Sequence, residues 1–454
     1  MAPLLTTLPN KTFFHSFLHN HRIYSPLART IAISTLIPAC FTSCTVIDAH
    51  ASPAGVPASD VASSSPSVTY SPVIITSGGT YEVNVVNDNP KVPAVSVETD
   101  QPVVITNSTV VSRGPLISII GSGSGANVII TNTTGIGLDP QVAGQIRGVF
   151  VNAYNVASLF VQNTSMAGVS FGIKVLASTA TKLRIYNNFA ENLEDRESNG
   201  RGGLLTARPD LGHFIILNGV SAPNGADISW NKLVNTIGNG STEDAINIYK
   251  SYGTEAHAIV AHDNYLEGFS STTTPSYSGS GLVSDGDGNS PMTAYVYFSD
   301  NEIVHTAGSG VDIASGHNIV AEGNRVVSCG RNANGTWYAM PFANAVNIWN
   351  YRNSAQFYDN RIETTAGGLV RPNTNNSPMV ADSWTYAPDM TDNNVLEKQA
   401  FTDPCIVNGQ INLQAETNER TFWSNKIATA RMLIGDQHDI TAVSALLSST
   451  NTDN

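Results

Sequence analysis

Four short segments of this chain carry reactive side chains at matching positions: DAINIYK (244–250), SGLVSDG (280–286), SGVDIAS (309–315) and NAVNIWN (344–350). Aligned, they place Ile246, Leu282, Val311 and Val346 in one apolar column and Ile248, Ile313 and Ile348 in another. Asn247, Asp312 and Asn347 share the column between them. Tyr249, Asp285 and Trp349 form the next, and Lys250, Asp287, His317 and Arg352 follow just beyond. If the segments are strands stacked ~4.8 Å apart, an ammonium, a guanidinium, an imidazole, several carboxylates and two aromatics converge on one face. Such a face could span three or four sugar units, with Tyr249 and Trp349 under pyranose rings and Asn247 and Asn347 bonding hydroxyls.

Two reactions suit this set. In β-elimination from a uronic-acid polymer, a base removes the C5 proton while a cation neutralises the carboxylate and acidifies that proton. Lys250 is the candidate base, and Arg352, or Ca²⁺ held by Asp285, Asp287 and Asp312, the neutraliser. Glycoside hydrolysis instead needs two carboxylates, for which Asp312 and Asp285 are the leading pair. A third possibility is binding without catalysis, which needs only the aromatics and amides. Each residue also has a structural reading. Lys250 ends a strand, Asp244 follows Glu243 at a strand entrance, His317 sits in a polar SGHN turn, and Arg352 can pair with a neighbouring acid. Asp312 lies mid-strand between Val311 and Ile313 with no turn to brace, which makes it the strongest functional carboxylate.

The segment Asp285 to Asn289 (DGDGN) supplies the first three oxygen ligands of a calcium loop. Ser290 replaces the usual Gly and Val296 the bidentate Glu, so it is not an EF-hand. A Ca²⁺ site shared with Asp312 or Glu243 is one reading, and a Gly/Asp-rich turn the other.

What positions these residues is a repeat. Asn107, Asn132, Asn163, Asn187, Asn231, Asn264, Asn301, Asn324, Asn360 and Asn425 each follow an alternating apolar run and precede another. Most spacings run from 23 (301 to 324) to 37 (264 to 301). Repeats of that length are stacked supersecondary units. Asn tolerates left-handed backbone angles and hydrogen-bonds across turns, so the pattern predicts coils of at least two strands each and an asparagine ladder. The fold class is all-β: a single-stranded right-handed parallel β-helix over 73–430, with a C-terminal cap and tail at 431–454. The tail includes DITAVSALLS (439–448), read as a short helix. Two insertions, 191–210 and 366–400, read as loops.

Only 13% of the 454 residues are charged and the net charge is −13, which disfavours nucleic acid as a partner. Residues 1–51 read as an export signal: Lys11, Arg22 and Arg29 precede the apolar stretch Thr30 to Ile47, and Ala49-His50-Ala51 offers a cleavage site. The alternative is a lipoprotein signal with a lipid anchor at Cys40. Pro38 interrupts the stretch, so no membrane span is expected. Residues 52–72 are a Pro/Ser/Ala-rich linker. Cys329 and Cys405 remain in the body of the chain, either as one disulfide or as two buried thiols.

With strands and ladder in place, EDAINIYKSYGT (243–254), GLVSDGDG (281–288) and GSGVDIASGHN (308–318) resemble segments of bacterial secreted right-handed parallel β-helix repeat proteins, within the pectate-lyase-like superfamily. The resemblance covers roughly residues 73–430. It implies a secreted protein acting on a polysaccharide, most often a lyase of uronic-acid polymers or a glycoside hydrolase. No complete motif of any one lyase or hydrolase family is present, so the resemblance speaks to fold more than to reaction.

Overall fold

The computed structural model describes residues 67–205, 212–236, 239–268, 279–332, 334–337, 344–363, 366–372, 378–381, 385–386, 391–397 and 404–434. The leader, Cys40, the start of the linker and the tail segment at 439–448 lie outside the described residues. Runs of two to seven residues, most of them rich in valine and isoleucine, form three sheets of 11 strands each. In each sheet every third strand of the sequence is the hydrogen-bonded neighbour, until the last pairs break the count: Ala366–Pro372 and Pro378–Ala381 are consecutive and antiparallel, which displaces the final strands of the other two sheets by one. In the first sheet, Val73 pairs with Val95 and Val95 with Ile117, all parallel. Every circuit before that break therefore adds one strand to each sheet, giving three strands per circuit. This arrangement is compatible with a parallel β-helix.

Alternation fills the interior, because successive side chains point to opposite faces of a strand. Ile246, Leu282, Val311 and Val346 pair in register and are buried, as are Ile248, Ile313 and Ile348. Full burial of each such side chain is worth about 1.5–3 kcal/mol.

The turn between the second and third sheets differs from expectation by one residue. Asn107, Asn132, Asn163 and Asn187 do sit there in the left-handed region, with φ of 45°, 49°, 53° and 51°. In later circuits that position belongs to Trp230, Asp263, Asp300 and Gly323. The buried ladder is the next column: Asn188, Asn231, Asn264, Asn301 and Asn324. Each Nδ2 donates to the Oδ1 of the following rung at 2.8–2.9 Å. The single column expected from sequence thus merges two columns with different duties. Asn360 belongs to another corner, where its Oδ1 accepts the Ile319 N–H and its own N–H meets Asn394 Oδ1.

Asn425 is not a ladder residue. It lies in helix α1, Gln414–Ile434. Burial of Ala415, Glu419 and Trp423, with Ile427 packed alongside, follows a four-residue spacing that suits a helix lying on a surface. Glu419 grips the Arg325 guanidinium with both oxygens at 2.7 and 2.8 Å, and Trp423 Nε1 donates to the Asp263 carbonyl. The supposed loop after 366 also continues the sheets: Ala366–Pro372 extends the third, Thr385–Tyr386 the first and Val395–Leu396 the second.

Cys329 and Cys405 form a disulfide across 76 residues, resolving the alternatives left by the sequence. It ties the segment leading into α1 to the third sheet. Closing a loop of that length is worth about 4 kcal/mol in the chain-entropy account. The Cys329→Ser/Cys405→Ser variant is expected to lose α1 at lower denaturant than the sheets. Coincident helix and sheet transitions, unchanged from those of the parent, would contradict this.

Candidate functional site

Four strands of the first sheet, Asp244–Tyr249, Ser280–Asp285, Val311–Ile313 and Val346–Ile348, lie side by side. Asn247 pairs with Val283, Val283 with Asp312 and Asp312 with Asn347, while Tyr249 pairs with Asp285. The polar columns therefore stand on adjacent rungs of one face, in the register the sequence predicts.

That face is not an open groove. Asn247 is 3% exposed, Asp312 8% and Asn347 0%. Part of the cover comes from the chain just after the last of these strands: Tyr351 stacks on Trp349 at 5.3 Å, and its hydroxyl lies 3.1 Å from Asn347 Nδ2. Beneath it the side chains bond one another. Asn347 Nδ2 donates to Asp312 Oδ1 on the neighbouring rung at 2.7 Å, and within one strand Asn247 Nδ2 donates to Asp244 Oδ2 at 2.8 Å. Among the described residues the buried amide oxygens of Asn247 and Asn347 have no hydrogen-bond partner.

Burial dominates the acids. It pushes the Asp312 carboxyl up to about 7 against the Asn347 hydrogen bond, and the negative charge of Asp285 pushes the same way. Burial also raises Asp285, opposed by the Gly286 N–H, the Arg352 charge and an Asn247 hydrogen bond. Asp285 thus acts on Asp312 from the neighbouring strand, while Asp285 itself has the Arg352 cation nearby. Tyr249 is raised by burial and by Asp287 and Asp285.

Lys250 adopts φ 48° at the corner after its strand, an uncommon conformation for a long side chain. Its ammonium meets Asp287 Oδ2 at 3.0 Å. Asp287 Oδ1 accepts the Asn289 N–H, and Asp285 Oδ1 the Gly286 N–H at 2.6 Å. Arg352 Nε donates to the Gly286 carbonyl at 3.2 Å. The 285–289 carboxylates are thus satisfied by protein donors, and an ammonium stands where a cation would. These residues fit a braced turn rather than a Ca²⁺ loop.

His317 stands apart from this group. It begins a strand of the second sheet, stacks on Tyr358 at 4.6 Å and meets Tyr295 edge-on at 5.9 Å. Its Nδ1 lies 2.7 Å from Asn318 Oδ1. The glycine left-handed turn at Gly316, φ 105°, carries the chain round the corner before it. Nine of the ten residues singled out by sequence are gathered at the first sheet, and His317 is the tenth.

Sequence reasoning missed one part of the face. His213 pairs with Asp244 one rung earlier, and its ring nitrogens lie 3.4 Å from Glu243 Oε2 and 3.8 Å from Asp244 Oδ2. The signal was present in HFIILNGV, a strand of the same column, but the stacking started one circuit too late.

No family model matches the chain, and no curated protein or solved structure matches it. Among the described residues no helix is long and apolar enough to cross a membrane.

Proposed function

We propose that this is an exported right-handed parallel β-helix protein, related to the pectate-lyase-like group, that hydrolyses a glycan with Asp312 as general acid and Asp285 as general base. The observation that carries this reading is the pair of buried carboxyls on adjacent strands with unequal surroundings. Burial raises both carboxyls, and what separates them is the Arg352 charge and the Gly286 N–H, which oppose the rise at Asp285; unequal surroundings of this kind assign acid and base roles. Asp312, raised to about 7, keeps its proton near neutrality and gives it to the glycosidic oxygen. Asp285, beside Arg352, takes a proton from the water that attacks the anomeric carbon. Asp312 pairs with Val283, so Asp285 is its diagonal neighbour on the same sheet face; a carboxyl separation of roughly 6.5–9.5 Å is what inversion requires. Tyr249 supplies a ring face, and Tyr351, which stacks on Trp349 and covers Asn347, must swing aside for the glycan to reach Trp349 and the acids.

β-Elimination is the second reading, favoured by the placement of a Lys250 cation and Arg352 at the same corner. There Lys250 would have to leave Asp287 and lose a proton before acting as base. A panel of polysaccharides assayed for both new reducing ends and absorbance near ~235 nm separates the two chemistries. Reducing ends alone support hydrolysis. Unsaturated product supports elimination and overturns the assignment of Asp312. No cleavage of any polymer, with retained binding, supports the non-catalytic role.

The acid role has a pH signature. Cleavage should fall tenfold per pH unit above about 7, as Asp312 loses its proton. A rate that stays flat to pH 9 on the best substrate would exclude Asp312 as the acid.

A further inference from the structure

α1 is held on the third sheet by charge more than by apolar area. Among its described side chains only Ala415 and Trp423 are buried apolar groups. Three ion pairs cross the contact: Arg325–Glu419 at 2.7 Å, Glu267–Arg420 at 2.6 Å and Asp263–Lys426 at 2.7 Å. Glu416 meets His305 at 2.9 Å. The Cys329–Cys405 disulfide ties the approach to the helix to the third sheet, so α1 can lift off without leaving the molecule.

Glu302 breaks this matching. It stands in the outward column under the helix, paired in register with Tyr265 on one side and Arg325 on the other. Glu302 is 2% exposed and Glu419 5%, so two carboxyls are shut into one contact. The guanidinium they share is engaged by Glu419, with Nε at 2.8 Å and Nη2 at 2.7 Å. Glu302 Oε2 lies 3.5 Å from the same Nε and has no hydrogen-bond partner among the described residues. Lys426, the cation that α1 brings to this end, is held by Asp263 and by the Asp300 carbonyl at 2.6 Å. Tyr265 faces Glu302 from the preceding strand, but its hydroxyl donates to Glu267 Oε2 at 2.6 Å, and burial drives it further from ionisation.

One guanidinium does not neutralise two buried carboxylates, and a like-charged pair in one site keeps a proton on one member. Burial first, then the Glu419 charge, push the Glu302 carboxyl up to about 8 against the Lys426 and Arg325 charges, and a hydrogen bond to Glu419 adds to the rise. We propose that α1 is a reversible latch, closed while Glu302 holds a proton against Glu419 and released when that proton passes to solvent. Closing takes up a proton, since the freed carboxyl returns to its ordinary 4.5. The stability that Glu302 gives the closed state is therefore full below about 4.5 and is lost as pH rises through about 8. Opening gives both carboxylates to water and uncovers Lys232, whose ammonium lies 5.8 Å from the Trp423 ring. The latch does not rest on the chemistry at the first sheet.

The test is amide hydrogen exchange over 414–434 in the full, oxidised chain at about pH 5.5 and about pH 8.5, corrected for intrinsic exchange. Protection of the helix should fall at least about tenfold at the higher pH. Glu302→Gln keeps the shape of the protonated acid, so it should match the parent at the lower pH and fall by less than about threefold. Glu419→Gln leaves Arg325 to Glu302; it should loosen the helix at the lower pH and flatten the profile in the same way. His262, which lies 2.7 Å from Asp263 and is itself raised to about 9, titrates nearby. His262→Asn should nevertheless keep the fall. Level protection in the parent, an undiminished fall in Glu302→Gln or Glu419→Gln, or its disappearance in His262→Asn would each overturn the proposal.

Discussion

Asp312→Asn should reduce glycan cleavage by about a thousandfold, within the range contributed by a positioned general acid, while leaving the fold in place. The amide is close in shape to the protonated acid and can still bond Asn347, which holds Asp312 Oδ1 at 2.7 Å. The same substitution should make the protein more stable in alkali. A carboxyl whose folded pKa is raised from 3.8 to about 7 contributes stability fully below its unfolded value. That contribution is lost as pH rises through about 7, because the folded state must then bury a charge. The amide has no proton to lose. Denaturation midpoints measured at pH 5 and pH 9 should therefore converge in the variant. Full activity in Asp312→Asn, or a parent-like decline in its stability between those pH values, would remove Asp312 from the proposed role.

The second large effect is structural. Asn264→Ala should destabilise the middle circuits by about 3–5 kcal/mol, since several buried polar groups lose partners worth about 1–3 kcal/mol each. Asn264 Oδ1 accepts both the main-chain N–H and the Nδ2 of Asn231, and its Nδ2 donates to the Ile228 carbonyl and to Asn301 Oδ1. Asn107→Gly, at the exposed left-handed position of the same turn, keeps the backbone freedom and should change stability by less than about 0.5 kcal/mol. Guanidinium unfolding of the two variants compares the columns directly. Equal losses would mean that the inward and outward positions share the load.

How far the sequence reached follows from what each pattern encodes. Two-residue alternation specifies which side chains face inward, so the stack of Ile246, Leu282, Val311 and Val346 could be aligned by eye. The ladder was harder, because asparagine serves two adjacent jobs. At Asn187-Asn188 both residues are Asn, one at positive φ and the next buried. Counting asparagines therefore slid from the first job to the second without a visible break. The segment around Phe422 and Trp423 satisfies strand alternation locally, and only the longer spacing through Ala415 and Glu419 reveals the helix. Side-chain direction at Asp312 was legible, but its burial was not. Alternation says which way a residue points and nothing about what lies over it. His317 looked adjacent to Lys250 by distance from the strand end, yet the turn at Gly316 had already moved it to another sheet.

The corner at Lys250 illustrates a compromise. In the preceding circuit the same left-handed position is held by Gly219, and further back by Asn155 and by Ala177, whose main-chain N–H bonds follow one another up the stack. Glycine takes that shape freely, whereas a residue with a Cβ gives up about 1–2 kcal/mol. The chain has accepted that handicap to plant a long cation beside Asp287. Ala177 takes the same shape at φ 42° with no charge to place, so what Lys250 adds at its own corner is the ammonium itself, held against Asp287 at 3.0 Å.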